Sequence, residues 1–171
     1  MKALFVVDML KDFFNKDGAL YCGNLSRKII PFVKEKIEEF HKNEDLVVFI
    51  CDSHEEDDLE FNMFPKHCVT NTEGAEIIDE MPVGKNDIII KKKRFSAFYG
   101  TSLDPALKDH KISEVHVLGV CTSICVMDTV GDLRNRDLSV KVWKKGVADF
   151  EEQAHNFALY RMEKIYGAKI C

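Results

Sequence analysis

The chain has 171 residues, 46% of them hydrophobic and 31% charged, with a formal net charge of -5. That is enough for one domain with a full core and too little for two. An acidic balance with no basic block longer than Lys91–Arg94 speaks against a nucleic-acid surface, and no apolar run approaches the ~18 residues of a membrane span.

Met1 to Val7 runs straight into strand-like sequence, without the charged, apolar and cleavable stages of a signal peptide. Cys22, Cys51, Cys68, Cys121, Cys125 and Cys171 are scattered, which suits reduced thiols in a cytoplasm better than a disulfide framework.

Lys2 to Asp8 is an apolar, β-rich run ending in an acid, the pattern of a strand buried on both faces of a parallel sheet. Asp12 to Gly18 reads as a loop. Ser26 is placed to cap a helix with Ile29, Ile30, Val33, Ile37 and Phe40 at helical spacing and Pro31 in its first turns. Leu46 to Asp52 repeats the apolar run ending in an acid. Ser53 to Gly74 is polar, acidic and irregular, and long for a connection.

Glu73 to Met81 is predicted as a short helix and Ile88 to Ile90 as a third strand, running into Lys91, Lys92 and Lys93. A helix over Ser102 to Asp109 places Asp104 and Pro105 at cap and first-turn positions. Then come a strand over Val115 to Val120, a helix from Thr122 to about Arg136 and a strand over Leu138 to Trp143. A helix over Phe150 to Tyr166 and a short strand over Ala168 to Ile170 end the chain.

Strands alternating with helices predict one α/β domain over residues 1–171. Its form is a three-layer sandwich whose central, mostly parallel sheet has five or six strands. Open sheets of this kind bind ligands beyond the carboxyl ends of their strands. Asp8, Asp52, a lysine after the third strand and Cys125 at the start of the following helix all gather on that edge. A helix start favours a thiolate over a thiol; Asp8 could take the proton and the lysine could hold the charges. Taken singly, each group also reads blandly, as a buried cysteine, a turn-capping acid or a solvated basic patch.

Asp52-Ser53-His54, with Glu60 and His67 downstream, offers carboxylate and imidazole donors of the kind that suit zinc, iron or manganese. Glu55, Glu56, Asp57 and Asp58 read as a solvated turn. Cys121 and Cys125 do not have the spacing of a C-x-x-C redox pair.

Five segments carry a resemblance, in order and over most of the chain. They are Val6-Val7-Asp8 with Asp12-Phe13; Asp52-Ser53-His54; Phe64 to Val69 with Thr72 to Glu76; Lys92 to Thr101; and Gly119 to Val126. Together they resemble the isochorismatase-like cysteine hydrolases and, within them, the nicotinamidase/pyrazinamidase branch. The resemblance implies an amidase that converts nicotinamide to nicotinate and ammonia through a cysteine thioester. Its triad would be Asp8, Lys92 and Cys125, with Lys92 chosen by its spacing to Ser96. An oxyanion hole would be formed by the backbone N–H groups of Cys121 and Cys125, after a cis peptide at Val120–Cys121.

A divalent metal, zinc first and iron or manganese as alternatives, would be held by Asp52, His54, Glu60 and His67 and would orient the pyridine ring. Phe13, Phe64 and Tyr99 would line the ring's slot. The resemblance also implies a small-molecule carboxamide as partner, neither nucleic acid nor membrane, and a homo-oligomer. Two rival readings remain. One is a sister amidase acting on a carbamoyl or ureido acid, whose relatives generally lack the metal set. The other is a non-enzymatic, receiver-like signalling module, which would carry a second acid where this chain has Val7.

Overall fold

A computed structural model describes all 171 residues. The strands β1 (Lys2–Val7), β2 (Leu46–Asp52), β3 (Ile88–Lys92), β4 (Glu114–Val120), β5 (Ser139–Ala148) and β6 (Lys169–Ile170) form one sheet. Every neighbouring pair is parallel, in the spatial order β3-β2-β1-β4-β5-β6. The chain therefore builds outward from β1 to β3, then returns to lay β4 on the other side of β1. That reversal is the switch point at which open α/β sheets leave a crevice for ligands.

Both faces of the sheet are covered, which is why its central strands are apolar at nearly every position rather than at alternate ones. Ala3, Phe5 and Val7 of β1 face one core. It is completed by α4 (Leu103–Asp109), α5 (Met127–Arg134) and α6 (Glu152–Lys164), through Leu107, Leu133 and Met162 among others. Leu4 and Val6 face the other, built on α1 (Lys11–Phe14) and α3 (Ile30–Lys42), with the short α2 (Asn24–Arg27) between them in the chain, through Phe14, Val33, Ile37 and Phe40. Each such side chain contributes about 1.5–3 kcal/mol on burial. No helix is long and apolar enough to cross a membrane.

The expected strands are present and so are the expected helices except that over Glu73 to Met81; the short helix α1 covers Asp12 to Phe14, which read as loop, and several element ends differ. Ser26 does not cap α3; it sits inside α2, its hydroxyl donating back to the Gly23 carbonyl at 2.7 Å, and α3 starts at Ile30 with Pro31 in its first turn. Glu73 to Met81 is not a helix beyond a 3₁₀ turn at Glu73–Ala75, because Gly74 packs against the Asp12 carboxylate and Ile77 bridges to Leu10. β5 outruns its expected end at Trp143. After a bulge, Val147 and Ala148 rejoin β4 opposite Gly119 and Val120. The extra length carries the chain up to the crevice.

Candidate active site

Four side chains from four strand ends meet above the switch point. Asp8 follows β1 in a left-handed conformation (φ 49°), an uncommon backbone for a non-glycine residue, and this turns its carboxylate back over the sheet edge. Asp52 ends β2 and Lys92 ends β3; the two are register partners, so their side chains project from the same face. Lys92 lies buried, whereas Lys91 and Lys93 on either side are exposed.

Cys125 sits in a π-helical turn, Thr122–Val126, that links β4 to α5. The preceding peptide, Val120–Cys121, is cis. Gly119 (φ 115°) lets β4 pass so close to β1 that a Cβ there would strike the Val7 carbonyl.

Lys92 is the hub of this group. Its ammonium is 3.0 Å from Asp8 Oδ2, donates to Asp52 Oδ1, and donates to Cys125 Sγ at 3.3 Å. Asp8 Oδ1 accepts from the Asp52 N–H at 2.9 Å, while Oδ2 has no well-aligned hydrogen bond and is open to a proton. Burial, reinforced by the neighbouring Asp52, pushes the Asp8 carboxyl up to about 7, against the pull of Lys92. Burial also raises the Cys125 thiol well above its usual range, and Lys92 offsets this only in part. Burial thus works against the thiolate that the helix start is expected to favour. For Lys92 burial works the other way, but Asp52 and Asp8 win and hold it charged.

The second cluster hangs in the loop after β2. His54 and Val69 form a short parallel bridge, with the His54 N–H donating to the Cys68 carbonyl at 3.0 Å. Asp12 Oδ2 accepts from the Cys68 N–H at 2.7 Å. These ties bring His67 against His54, their ring centroids 4.9 Å apart. Asp52 Oδ2 is 3.8 Å from Nε2 of both imidazoles, and Glu60 Oε1 lies 3.9 and 4.0 Å from the same two nitrogens. All four side chains are buried, yet His54 Nε2 and Glu60 Oε2 have no hydrogen-bond partner.

The imidazoles are aimed by their other nitrogens. His67 Nδ1 can only donate to the Pro65 carbonyl, at 2.7 Å, which leaves Nε2 with its lone pair toward the cluster. His54 Nδ1 is 3.1 Å from Asp58 Oδ2. Burial works against ionising Asp58, but bonds from the Glu60 N–H, His54 and Arg94 hold it down at about 2, so it accepts. Asp52, Asp58 and Glu60 together raise His54 against its burial, the mark of a cluster short of positive charge. Asp52 with His54 and His67, whose other ring nitrogens are bonded, forms a donor group that fits a divalent cation, and Glu60 stands beside it.

Between the clusters is a narrow slot lined by Phe13, Leu20, Phe64, Phe95, Ile124 and Phe150, together with Asp52, Glu60, His67, Cys121 and Cys125. The sequence model of the isochorismatase domain matches residues 2–171. The chain belongs to the isochorismatase family. Nicotinamidase PncA from Bacillus subtilis matches it at 35% identity with a TM-score of 0.93, covering 99% of this chain and 98% of that one. The pyrazinamidase of Pyrococcus horikoshii, in complex with zinc, gives 33% identity and 0.93 over 99% and 98%. N-carbamoylsarcosine amidase from Thermoplasma acidophilum gives 30% and 0.90 over 99% and 94%. The six-stranded parallel sheet with helices on both faces is the isochorismatase-like hydrolase fold.

In this isochorismatase-family site, the structure brings together Asp8, Lys92 and Cys125, then Asp52, His54, Glu60 and His67, with Phe13 and Phe64 in the slot. Tyr99 is not part of the slot. It follows the turn after β3 with its side chain in solvent (67% exposed), and Phe95 fills that wall instead. Asp58 is no solvated turn residue but the buried partner of His54. Sequence reasoning also missed Phe150 and Asp149. Their signal was present in Gly146-Val147-Ala148-Asp149, which repeats the apolar-then-acid ending of β1 and β2.

Proposed function

We propose that this isochorismatase-family protein is a cysteine amidohydrolase that converts nicotinamide to nicotinate and ammonia. One observation carries the reading: the Cys125 thiol and the buried imidazole–carboxylate cluster open onto the same aromatic slot, whose lining contains no cationic side chain. Such a slot suits a flat, neutral ring with a nitrogen donor. A carbamoyl or ureido acid would bring a carboxylate for which the lining offers no lysine or arginine. The named activities of the Bacillus and Pyrococcus proteins support the same choice.

Asp8 takes the Cys125 proton through its open Oδ2, with Lys92 beside both groups to hold the negative charge as it moves from carboxylate to sulfur. The thiolate attacks the carboxamide carbon. The oxyanion forms against the backbone N–H groups of Cys121 and Cys125; a donor of this type is typically worth about 10²–10³ in rate. Return of the proton from Asp8 to nitrogen releases ammonia and leaves a thioester on Cys125. Asp8 then takes a proton from water, which attacks the thioester and frees the carboxylate product.

When bound, a divalent ion, zinc in the first place and iron or manganese otherwise, would supply a Lewis-acid point for the ring nitrogen, held by Asp52, His54, Glu60 and His67. Six free cysteines, five of them buried, fit a reducing compartment such as the cytoplasm.

The test is ammonia release from nicotinamide, pyrazinamide and a set of carbamoyl acids, with bound metal measured on the same sample. Release from the two ring amides by metal-containing protein is expected. Activity confined to carbamoyl acids, in protein that binds no metal, would overturn the assignment.

A further inference from the structure

The turn that carries Cys121 and Cys125 is gripped, from the end of β5 and from α6, by groups the mechanism above does not use. Inside it, the Cys121 carbonyl accepts from the Ile124 and Val126 N–H groups, both at 3.1 Å. The first N–H groups of any helical turn lack partners within it. Here Ser123 N–H donates out of the turn to Asp149 Oδ2 at 2.6 Å. The other oxygen, Asp149 Oδ1, accepts from Phe150 N–H at 2.8 Å. One residue earlier, the Thr122 hydroxyl is bonded to His155 Nδ1 of α6 at 2.9 Å. Asp149 is itself buried, at the end of the extended β5, and Phe150 lines the slot. One carboxylate therefore ties the nucleophile's turn to a wall of the substrate slot.

We propose that Asp149 is a positioning residue for amide hydrolysis: by holding Ser123 N–H and Phe150 N–H together it fixes the turn that presents the Cys121 N–H and the Cys125 sulfur. The proposal rests on the cysteine-amidase reading but not on which amide is the substrate. It reaches the chemistry only through backbone placement, and displacements of about 1 Å at a reacting group can cost on the order of 10² in rate. The Asp52, His54, Glu60 and His67 cluster lies on other elements, so its metal binding is independent of Asp149.

The test compares Asp149→Ala and Asp149→Asn with the wild type. Asparagine keeps an acceptor for Ser123 N–H but turns a donor toward Phe150 N–H. Expected is a fall in kcat of about tenfold or more for Asp149→Ala and a smaller fall for Asp149→Asn, with KM within about threefold and bound metal unchanged. Amide hydrogen exchange, which needs no substrate, should rise over residues 121–126 in Asp149→Ala while β1 and β2 stay protected. A kcat within twofold of wild type, a loss carried by KM or by metal content, or unchanged exchange in the turn would overturn the proposal. If Asp149→Ala does not fold, Asp149→Asn decides: wild-type kcat and exchange overturn it, and a reduced kcat with faster exchange at constant KM supports it. A wild type inactive on nicotinamide but active on another amide sinks the substrate assignment alone, and the exchange experiment stands whatever the substrate.

Discussion

Asp8, Lys92 and Cys125 stand on strand ends, whereas His54, Glu60 and His67 hang in a loop with almost no regular structure, and different forces hold the two sets. The first set is placed by the sheet. Register pairs Asp52 with Lys92, and burial on both faces leaves those side chains no alternative position. The second set is placed by a web of side-chain bonds: Asp12 on Cys68 N–H, Asp58 on His54 and Glu60, Thr70 on the His54 carbonyl. Errors that leave a buried charge unpaired on the strand side should therefore cost the whole protein, and errors on the loop side should cost the loop's ligands alone.

The largest effect expected is on chemistry without stability. Cys125→Ala should lower ammonia release by a factor on the order of 10³ or more, with bound metal and the unfolding midpoint nearly unchanged. Comparable activity in variant and wild type would remove the thiol from the mechanism. Lys92→Met tests the strand side for both properties, because it strands two buried carboxylates. A loss of about 3–5 kcal/mol in urea unfolding is expected together with loss of activity. Lys91→Met, one position away and exposed, should leave both intact.

Asp58→Ala tests the loop side. Without its carboxylate the His54 ring loses the bond that fixes its orientation, and metal affinity measured by equilibrium dialysis should fall about 10–100-fold. Unfolding should move much less than in Lys92→Met. Equal destabilisation by the two variants would erase the distinction between the halves.

The smallest effect lies away from both clusters. Trp143 Nε1–H can only donate, at 3.2 Å, so His116 Nδ1 is an acceptor and its Nε2–H faces Glu114 at 2.8 Å. Burial lowers the His116 pKa below 6.5, with Lys141 and Lys2 adding to it against Glu114. Because the folded value is depressed, the unfolded chain binds the proton first as pH falls. Stability is full above about 6.5 and declines below it as His116 is driven to protonate. A melting-temperature loss between pH 7.5 and 5 that is smaller in His116→Asn would match; an identical loss would exclude His116 as a contributor.

Much of this was legible in the order of residues. Val6-Val7-Asp8 and Ile50-Cys51-Asp52 each announced a buried strand with an acid at its functional end, and parallel topology put those ends together. Less visible were features decided by contacts between distant segments. Asp58 sits among Glu55, Glu56 and Asp57, and nothing local separates the one carboxylate that Arg94 and His54 bury from three that water takes. β5 was cut short at Lys144 and Lys145 because a bulge cannot be seen in a single strand's pattern. That truncation hid Asp149. Tyr99 and Phe95 have similar claims on a ring slot, and only the turn after β3 decides which faces inward.

β3 shows how a strand of two repeated letters still fixes its own alignment. It reads Ile88-Ile89-Ile90 followed by Lys91-Lys92-Lys93, two letters each written three times. Sliding it by one residue along β2 would set another lysine in place of the cation, but it would also put Lys91 where Ile90 lies buried, or Ile90 where Lys91 meets solvent. That boundary selects Lys92 from within the strand, and further information lies outside it. It lies in the bond from Ser53 N–H to the Lys92 carbonyl, and in the turn that seats Phe95 in the slot and Ala97 in the core. The cation's address is written in its neighbours, and its immediate surroundings carry two spare copies of the side chain.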